Sequence, residues 1–461
     1  MTASTSPAAA PLMLSVSGAR GIVGQSLTPP MIARYAAAVG SWLREQSDAD
    51  QPTHVVLGRD SRPSGPLCEC AAVAGLLSVG CRVTCLGIAS TPGVAVMVRH
   101  LHAQGGIVIT ASHNPIIWNG VKAIRGDGVA PTADQARQII DRFESDRLDY
   151  VDVHGLQPVA FTDAVVDVHR DAILPYIDVD AIRQAGLRVV VDSVHGAGGR
   201  ETAALLDALG VECIHYYAEP TGQFPHPPEP TAEHLTELCQ QVAHHGAAAG
   251  FAQDPDADRL AIVDETGRYI GEEYTLAMCA RHLLKQGDVA VANLSTSRMI
   301  DDVAAAVGAR VERTAVGEAN VAEGMREHEA VIGGEGNGGV ILPGVCHIRD
   351  SLVGIALVLE MLAKRKLPLS KLVAETPAYA ILKDKVPVDA DLVKKLGPTL
   401  RDEFADVKVD EQDGVRLDWP DRWVHVRASN TEPILRLIAE ARDADTAAAL
   451  LADVRQALGL G

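Results

Sequence analysis

A pattern of strand, polar break, helix and second strand occurs three times in the first two thirds of the chain. The three copies read HVVLGRDSR…LLSVGCRVTCLG, RVVVDSVHG…LLDALGVECIHY and VAVANLSTSR…VAAAVGARVERT. Short β-branched runs that alternate with amphipathic helices are typical of βαβ units, which place parallel or mixed sheets between layers of helix. The sequence therefore predicts three related α/β domains with mixed sheets.

Each copy also carries signals for the ends of its helix. We predict that the polar breaks cap the helices that follow them; the breaks are Asp60-Ser61, Asp192-Ser193 and Ser295-Thr296. We predict that the helices end at glycines, because a left-handed residue after a helix costs glycine least; these glycines are Gly80, Gly210 and Gly308.

From about residue 379 the pattern changes. The run VRLDWPDRWVHVRASNTEPILRLIAEA predicts antiparallel strands, and DTAAALLADVRQAL predicts a helix after them. The 461 residues exceed the length of a single domain, about 100–200 residues. We therefore predict a C-terminal α+β domain after the three α/β domains, with boundaries at 1–156, 157–268, 269–378 and 379–461.

Composition limits the partners and the location. Acidic residues outnumber basic ones by 60 to 41 and the formal net charge is −19, without a long Lys/Arg run, so no nucleic acid is expected. The same field repels phosphorylated substrates, so binding one requires a local cluster of Arg and Lys. No window reaches the roughly 18 apolar residues of a membrane span. The start lacks the features of a signal peptide and the eight cysteines contain no CxxC pair, so we expect a cytoplasmic protein without a membrane partner.

The segment GGIVITASHNPIIWNGVK begins as a buried strand and then breaks at a serine. In a loop kept extended before Pro115, Ser112 can present its hydroxyl to a cleft. The alternative is a turn whose Ser and Asn only bond to backbone. Lys122 can neutralise a phosphate or transfer a proton, and His113 is expected to titrate near neutral pH. Both favour a functional loop.

The segment FAQDPDADRLAIVDETG alternates three aspartates, Asp254, Asp256 and Asp258. In an extended loop they can converge on one hard cation, and Mg²⁺ is favoured if a substrate phosphate completes the shell. An EF-hand is excluded because Arg259 stands where that loop needs glycine and because the flanks are typical of strands. A solvated acidic turn remains the alternative.

The segment GGEGNGGV contains the spacing G-x-G-x-x-G of a dinucleotide fingerprint. The fingerprint should open a helix, but Pro343-Gly344 follow closely, so a dinucleotide site is not predicted. Glu335 and Asn337 can accept and donate hydrogen bonds, which suits sugar hydroxyl groups. A plain tight turn is the alternative.

The segment RASNTEPILR supplies two guanidinium groups with hydroxyl and amide donors, which suit a phosphate dianion. These residues are Arg427, Ser429, Asn430, Thr431 and Arg436. They meet the requirement set by the acidic net charge, although a structural arginine in a surface turn is the alternative. Arg20, in SGARGIVGQSLTP, would be part of an ordinary loop if it stood alone.

Taken in order, these segments resemble the α-D-phosphohexomutase family, which includes phosphoglucosamine mutase, phosphoglucomutase and phosphomannomutase. The resemblance runs from about residue 15 to residue 436. It implies four domains around a central cleft and an intramolecular phosphotransferase of the isomerase class.

The resemblance also implies roles for the residues. TASHNP is similar to the family's phosphoserine loop, so Ser112 would carry the phosphoryl group and give one oxygen to the metal. DPDADR is similar to the metal loop, in which the three aspartates would hold one Mg²⁺. Arg20 and Lys122 match positions near the phosphoserine that stabilise charge or transfer protons, and a sugar 1,6-bisphosphate is expected as activator.

The two later loops have counterparts as well. GEGNGG matches the sugar-recognition loop, with Glu335 on sugar hydroxyls, although Asn337 and Gly339 replace the Ser and His of many members, and Pro255 of the metal loop replaces a common Gly. RASNTEP matches the loop that anchors the phosphate that does not react. The expected assembly is a monomer or a homodimer.

The substrate is less determined. TGQFPHPPEPTAEHL is similar to phosphomannomutase/phosphoglucomutase and archaeal-type members, whereas RTAVGEANVAEGM and the Thr-Glu-Pro of the phosphate loop are similar to phosphoglucosamine mutases. We favour a hexosamine phosphate, with a hexose phosphate as the alternative. A sugar-phosphate-binding protein without turnover and a Mg²⁺-dependent phosphatase are the remaining hypotheses.

Overall fold

The structure, a computed structural model, describes residues 11–47, 51–388, 390–404, 407–428 and 434–460. The chain forms two compact units, one of residues 1–271 with 344–368 and the other of residues 272–343 with 369–461. Each unit contains two sheets. The predicted fold class is confirmed, since three sheets are mixed and the fourth is antiparallel.

The first sheet has seven strands in the order β1-β2-β6-β5-β3-β4-β7, with parallel pairing on either side of β3. Its last strand begins beyond residue 156, the predicted end of the first domain. The predicted ranges of the four domains remain predictions. The elements are β1 (Met13–Ser15), β2 (Gly18–Ile22), α1 (Pro29–Glu45), β3 (His54–Arg59), α2 (Gly65–Ser78), β4 (Arg82–Ile88), α3 (Thr91–His100), β5 (Gly105–Ile109), β6 (Trp118–Arg125), α4 (Ala133–Ser145) and β7 (Val159–Phe161).

The second sheet has four strands in the order β11-β10-β8-β9, and only the β10–β11 pair is antiparallel. Three of its strands, β8, β10 and β11, are rich in apolar residues and almost wholly buried, as expected for strands covered on both faces. The elements are α5 (Val165–Ile173), α6 (Val179–Ala185), β8 (Arg188–Asp192), α7 (Gly198–Ala208), β9 (Glu212–Tyr216), α8 (Thr236–His245), β10 (Ala249–Gln253) and β11 (Leu260–Asp264).

The third sheet repeats this plan in the order β13-β12-β14-β15. The elements of this stretch are α9 (Glu272–Leu283), β12 (Val289–Asn293), α10 (Met299–Ala306), β13 (Arg310–Thr314), α11 (Glu318–Glu327), β14 (Ile332–Glu335), β15 (Gly339–Ile341), α12 (Ser351–Arg365) and α13 (Leu369–Ala374). Helix α12 belongs to the first unit, where it packs on α6.

The fourth sheet is antiparallel throughout, in the order β16-β20-β19-β18-β17. Leu435, Leu437 and Ala439 alternate along one strand and enter the apolar core, so the intervening Arg436 lies on the other face. The elements are β16 (Ala380–Pro387), α14 (Ala390–Glu403), β17 (Lys408–Asp410), β18 (Val415–Asp418), β19 (Trp423–Ala428), β20 (Ile434–Ala441) and α15 (Ala444–Ala457).

The helix signals of the three repeats were predicted correctly at one end only. The residues that precede α2, α7 and α10 are Ser64, Ala197 and Arg298, and none makes a side-chain capping bond. The prediction that the polar breaks cap these helices is therefore wrong; the breaks follow the strands, several residues before the helices. The glycines after the helices do adopt left-handed backbone, with φ of 76°, 67° and 72° at Gly80, Gly210 and Gly308.

No helix within the described ranges is both long enough and apolar enough to span a membrane.

Candidate active site

The candidate site of the first unit lies at the carboxyl ends of β3, β5 and β10. Asp60 follows β3, Ser112 comes three residues after β5, and Asp254 directly follows β10. Open α/β sheets bind ligands at the carboxyl ends of their strands, because the loops of neighbouring strands meet there. The fold therefore brings together segments that are far apart in the sequence.

Ser112 occupies a backbone conformation that is uncommon for a residue with a side chain. Its φ is +49° and it is only 3% exposed. The backbone N–H of Ser112 donates to Thr110 Oγ1 at 2.9 Å, which helps to hold this turn. The hydroxyl of Ser112 donates a hydrogen bond to Asp254 Oδ2 at 2.8 Å, in the segment that carries the three aspartates.

The shape of the serine loop depends on Arg62, which the sequence analysis missed. This fully buried guanidinium pairs with Asp60 at 3.0 Å and donates to four backbone carbonyls of the loop. These carbonyls belong to Ser112 at 2.5 Å, Asn114 at 2.7 Å, Pro115 at 2.8 Å and Trp118 at 3.2 Å. Because the guanidinium is a rigid planar fork, it fixes the path of the chain from Ser112 to Trp118.

The three aspartates of DPDADR do converge. One carboxylate oxygen of each lies within 4.8 Å of those of the others, and all three residues are buried. Asp256 Oδ1 and Asp258 Oδ1 are buried without a hydrogen-bond partner among the described residues. Unpaired buried carboxylate oxygens are costly, and they are the ligands that hard divalent cations prefer. The residues therefore fit a divalent cation, and the alternative of a solvated acidic turn does not describe them.

Basic and hydroxyl groups hold the other aspartate oxygens. Thr91 Oγ1 donates to Asp256 Oδ2 at 2.7 Å, and Lys122 Nζ pairs with the same oxygen at 2.8 Å. Arg349 Nη2, which the sequence analysis also missed, pairs with Asp258 Oδ2 at 2.6 Å. Thr91 and Lys122 thus orient the carboxylate of Asp256, and Arg349 orients that of Asp258.

These contacts shift the pKa values of the neighbouring carboxyl groups of Asp254 and Asp256 in opposite directions. Burial, with the charges of Asp258 and Asp256, raises the pKa of Asp254 well above its usual value. Burial would also raise the pKa of Asp256, but the charge and hydrogen bond of Lys122 and the hydrogen bond of Thr91 bring it below its usual range. Asp256 therefore remains the charged partner of Lys122.

Arg20 and His113 also belong to this unit. Burial lowers the pKa of Arg20, which faces the charges of Asp256 and Asp258, but an arginine stays protonated. His113 Nδ1 lies 3.3 Å from Ser112 Oγ. Burial and the charges of Arg259 and Arg20 lower the pKa of His113 to about 2, so its ring is neutral here and the expected titration near neutral pH does not occur in this arrangement.

The first unit therefore meets the requirement for a local cluster of cations. The basic groups around the aspartates are Arg20, Lys122, Arg259 and Arg349. Among the described residues these four cations lie close to the three aspartates, and Arg259 also pairs with Glu229 at 3.6 Å, so basic groups are concentrated here in a chain that is acidic overall.

In the second unit, Glu335 ends β14 and is 6% exposed. Its Oε1 accepts from Asn293 Nδ2 at 2.8 Å and its Oε2 accepts from Asn337 Nδ2 at 3.4 Å. The Oδ1 of Asn337 is buried and has no hydrogen-bond partner within the described part of the chain. The loop therefore presents a carboxylate and an amide oxygen suited to hydroxyl donors.

Glu273, which the sequence analysis missed, shapes this loop. Its carboxylate accepts from Ser297 N at 2.9 Å and lies against the α-carbon of Gly336, where a Cβ would come within 2.0 Å of a carboxylate oxygen. Burial raises the pKa of Glu273 to about 8. A side chain at position 336 would therefore have to displace the carboxyl group of Glu273.

The last sheet aligns three basic residues. Arg427 and Arg436 are opposite each other on β19 and β20, and Lys385 is opposite Arg436 on β16. Like charges in cross-strand positions destabilise a sheet, and an anion between them removes this cost. Arg427 also pairs with Asp413 at 2.9 Å. The residues Ser429, Asn430 and Thr431 lie outside the described residues.

Comparison with known proteins agrees with this architecture. Residues 13–149, 167–267 and 272–379 match the phosphoglucomutase/phosphomannomutase alpha/beta/alpha domains I, II and III, and residues 383–457 match the C-terminal domain of the same family.

Whole-chain relatives extend the agreement. A phosphoglucomutase/phosphomannomutase of Thermococcus kodakarensis is 37% identical over 93% of this chain and 94% of its own. A probable phosphoglucosamine mutase of Methanopyrus kandleri is 36% identical over 94% of both chains. The crystal structure of a phosphoglucomutase/phosphomannomutase family protein from Burkholderia thailandensis, 27% identical, superposes with a TM-score of 0.83 over 97% of this chain and 96% of that one.

Four matched domains and relatives of this kind define a phosphohexomutase, an enzyme of the isomerase class. The chain belongs to the phosphoglucomutase/phosphomannomutase family.

Proposed function

We propose that this enzyme moves a phosphoryl group reversibly between the 6- and 1-positions of a hexosamine phosphate, with Ser112 as the residue that carries it. The observation that supports this most is the hydroxyl of Ser112, held 2.8 Å from Asp254 beside a buried trio of aspartates. A protein that only binds sugar phosphates needs neither a held hydroxyl nor such a trio.

In the proposed reaction, Ser112 starts as a phosphoserine. A free hydroxyl of the sugar monophosphate attacks phosphorus and the bond between phosphorus and Ser112 Oγ breaks. The proton lost by that hydroxyl is balanced by the proton that the leaving Ser112 Oγ takes up, so a sugar bisphosphate and a free serine form. The bisphosphate turns over and returns its other phosphoryl group to Ser112. Phosphoryl transfer needs positioning and charge neutralisation more than covalent help from the protein.

The chain's own residues supply both requirements. The loop carbonyls bound by Arg62 set the position of Ser112, and Lys122 with Arg20 adds positive charge next to the aspartates. Asp254, Asp256 and Asp258 would hold Mg²⁺ together with an oxygen of the phosphoserine, and the fit rests on the unpartnered Oδ1 atoms of Asp256 and Asp258. Mg²⁺ would neutralise charge on the transferred group.

The second unit would recognise the rest of the substrate. Glu335 and Asn337 are proposed to bind sugar hydroxyl or amino groups. Arg427 and Arg436, together with the loop 429–431, are proposed to hold the phosphate that is not reacting. Since either end of the sugar must take this place, the anchor must recognise phosphate rather than a particular sugar carbon.

The amino sugar is proposed on two observations. The phrase RTAVGEANVAEGM is similar to phosphoglucosamine mutases, and the relative from M. kandleri has that probable activity in its name. The name of the relative from T. kodakarensis favours glucose and mannose phosphates instead, which makes them the second candidate.

The test is turnover with Mg²⁺ and the matching sugar bisphosphate on glucosamine 6-phosphate, glucose 1-phosphate and mannose 1-phosphate. We expect preference for the glucosamine phosphate and loss of at least a thousandfold in kcat for Ser112→Ala, as is typical when a reacting group is removed. Ser78→Ala, on α2 with a hydroxyl bonded to a helix carbonyl, is the matched control.

Each other result has a definite meaning. Preference for glucose or mannose phosphate would select the second candidate. Full activity of Ser112→Ala would refute the role of Ser112, and steady release of inorganic phosphate would identify a phosphatase. Zero turnover of the natural chain, without phosphate on Ser112, would identify a binding protein.

A further inference from the structure

A histidine far from Ser112 in the sequence is fully buried between two carboxylates. His169, on α5, has Nδ1 at 2.7 Å from Glu201 Oε2 and Nε2 at 2.8 Å from Asp350 Oδ2. Glu201 belongs to α7, and Asp350 immediately precedes α12. The ring therefore connects three helices of the first unit.

This ring carries a charge at neutral pH. Burial alone would lower the pKa of His169, but the charges and hydrogen bonds of Asp350 and Glu201 raise it to about 10. An imidazolium has two N–H donors, and each carboxylate receives one of them. Glu201 also accepts from the N–H and hydroxyl of Ser90 at 2.8 and 2.6 Å, and Asp350 accepts from the first backbone N–H groups of α12.

Glu201 is linked to Asp256 of the aspartate trio through Ser90 and Thr91. Ser90, which Glu201 holds, directly precedes Thr91. Thr91 donates twice to Asp256, from its N–H to the backbone oxygen at 2.9 Å and from its hydroxyl to Oδ2 at 2.7 Å. The position of Asp256 therefore depends on a segment that Glu201 fixes.

Asp350 is linked to Asp258 of the aspartate trio through its neighbours in the sequence. Asp350 lies between Arg349, which pairs with Asp258, and Ser351. The N–H and hydroxyl of Ser351 donate to the backbone oxygen of Ala257 at 3.2 and 2.7 Å. The position of Asp258 therefore depends on a segment that Asp350 fixes.

We propose that His169 is a positioning residue for the metal loop, because its bridge between Glu201 and Asp350 fixes the two segments that orient Asp256 and Asp258. The assignment rests on the proposed function in taking the trio as the Mg²⁺ site. His169 itself touches neither the aspartates nor the substrate in this role, and it acts only through the two carboxylates.

The test compares three variants of the full chain by direct measurement of Mg²⁺ affinity, using isothermal titration calorimetry. His169→Gln removes the charge and leaves one donating nitrogen where the imidazolium has two, so that one carboxylate loses its donor. Glu201→Gln and Asp350→Asn weaken one arm each and keep the side-chain shape. Outer-shell substitutions typically weaken metal binding 10–100-fold. We expect at least tenfold weaker binding for His169→Gln and a smaller loss for each single-arm variant.

Two further measurements separate positioning from general damage. Turnover of the variants should recover as Mg²⁺ is raised, while KM for the sugar phosphate at saturating Mg²⁺ stays near that of the natural chain. His54→Gln is the control, since His54 is also buried and hydrogen-bonded, to Thr84 at 2.8 Å, but lies at the amino end of β3. Its Mg²⁺ affinity should be unchanged.

The outcomes are distinct. A natural chain that binds no Mg²⁺ would refute the proposed function. A natural chain that binds Mg²⁺, with variants that bind it as tightly or lose no more affinity than His54→Gln, would overturn the role of His169 alone. If His169→Gln does not fold, Glu201→Gln and Asp350→Asn decide the question in the same way.

Discussion

Replacing Arg62 by lysine should lower kcat/KM strongly while leaving most of the fold intact. The guanidinium of Arg62 makes five hydrogen bonds, four of them to carbonyls of the serine loop and one to Asp60. An ammonium group has only three N–H donors and lacks the planar fork. In Arg62→Lys at least two of these buried acceptors therefore lose their partner.

The size of the effect follows from these contacts. A hydrogen bond to a charged group contributes about 1.5–3 kcal/mol, so two lost bonds cost at least about 3 kcal/mol. If this cost appears in the reacting complex, at about 1.4 kcal/mol per factor of ten, kcat/KM falls at least about a hundredfold. The loss should appear mainly in kcat, because in the proposed reaction the loop places the serine that carries the phosphoryl group.

The assay is steady-state mutase turnover, with thermal unfolding and phosphate content of Ser112 measured on the same preparations. Arg125→Lys is the matched control, since Arg125 also bonds within the first unit, to Asp127 and Gln135, but away from the serine loop. Its kcat/KM should stay within a few fold of the natural value. A folded Arg62→Lys enzyme with undiminished kcat/KM would refute the argument that this guanidinium sets the loop.

Three further results are expected. Removal of divalent ions with EDTA should abolish turnover and added Mg²⁺ should restore it; persistent activity in excess chelator would contradict the metal assignment. Lys122→Met should lower kcat by a factor of 100 or more, because Asp256 loses its ion pair and the transferred group loses a positive charge; an unchanged kcat would exclude that role. Burial raises the pKa of Glu273 to about 8 in the folded chain, whereas its pKa in the unfolded chain is 4.5. Between pH 5 and pH 8 the folded carboxyl group therefore keeps a proton that the unfolded chain releases. The free energy of unfolding consequently falls as pH rises. Melting curves of Glu273→Gln should show a smaller fall across this window, and an identical fall would contradict the assignment.

The sequence predicted the features that depend on residues close together in the chain. Alternating apolar runs predicted the mixed sheets, and the spacing of Asp254, Asp256 and Asp258 predicted their convergence. Both predictions depend on local periodicity, which does not require knowledge of distant contacts.

The groups that support the site were not predictable in this way. Arg62 bonds to carbonyls 50 to 56 residues away, and His169 bonds to carboxylates 32 and 181 residues away. In the sequence His169 is one polar residue on an amphipathic helix, and Arg349 is an isolated arginine before a helix. The polar breaks were misread as helix caps because the same residue types serve at the carboxyl ends of strands, where their side chains bond to neighbouring loops.

The row of Lys385, Arg436 and Arg427 has a practical consequence for handling the protein. Three cations on adjacent strands do not distinguish a sugar phosphate from another tetrahedral oxyanion. Phosphate or sulfate buffers should therefore compete with substrate and raise its apparent KM, while also raising the melting temperature. A crystallisation condition rich in sulfate would then stabilise the protein but conceal how tightly the natural ligand binds.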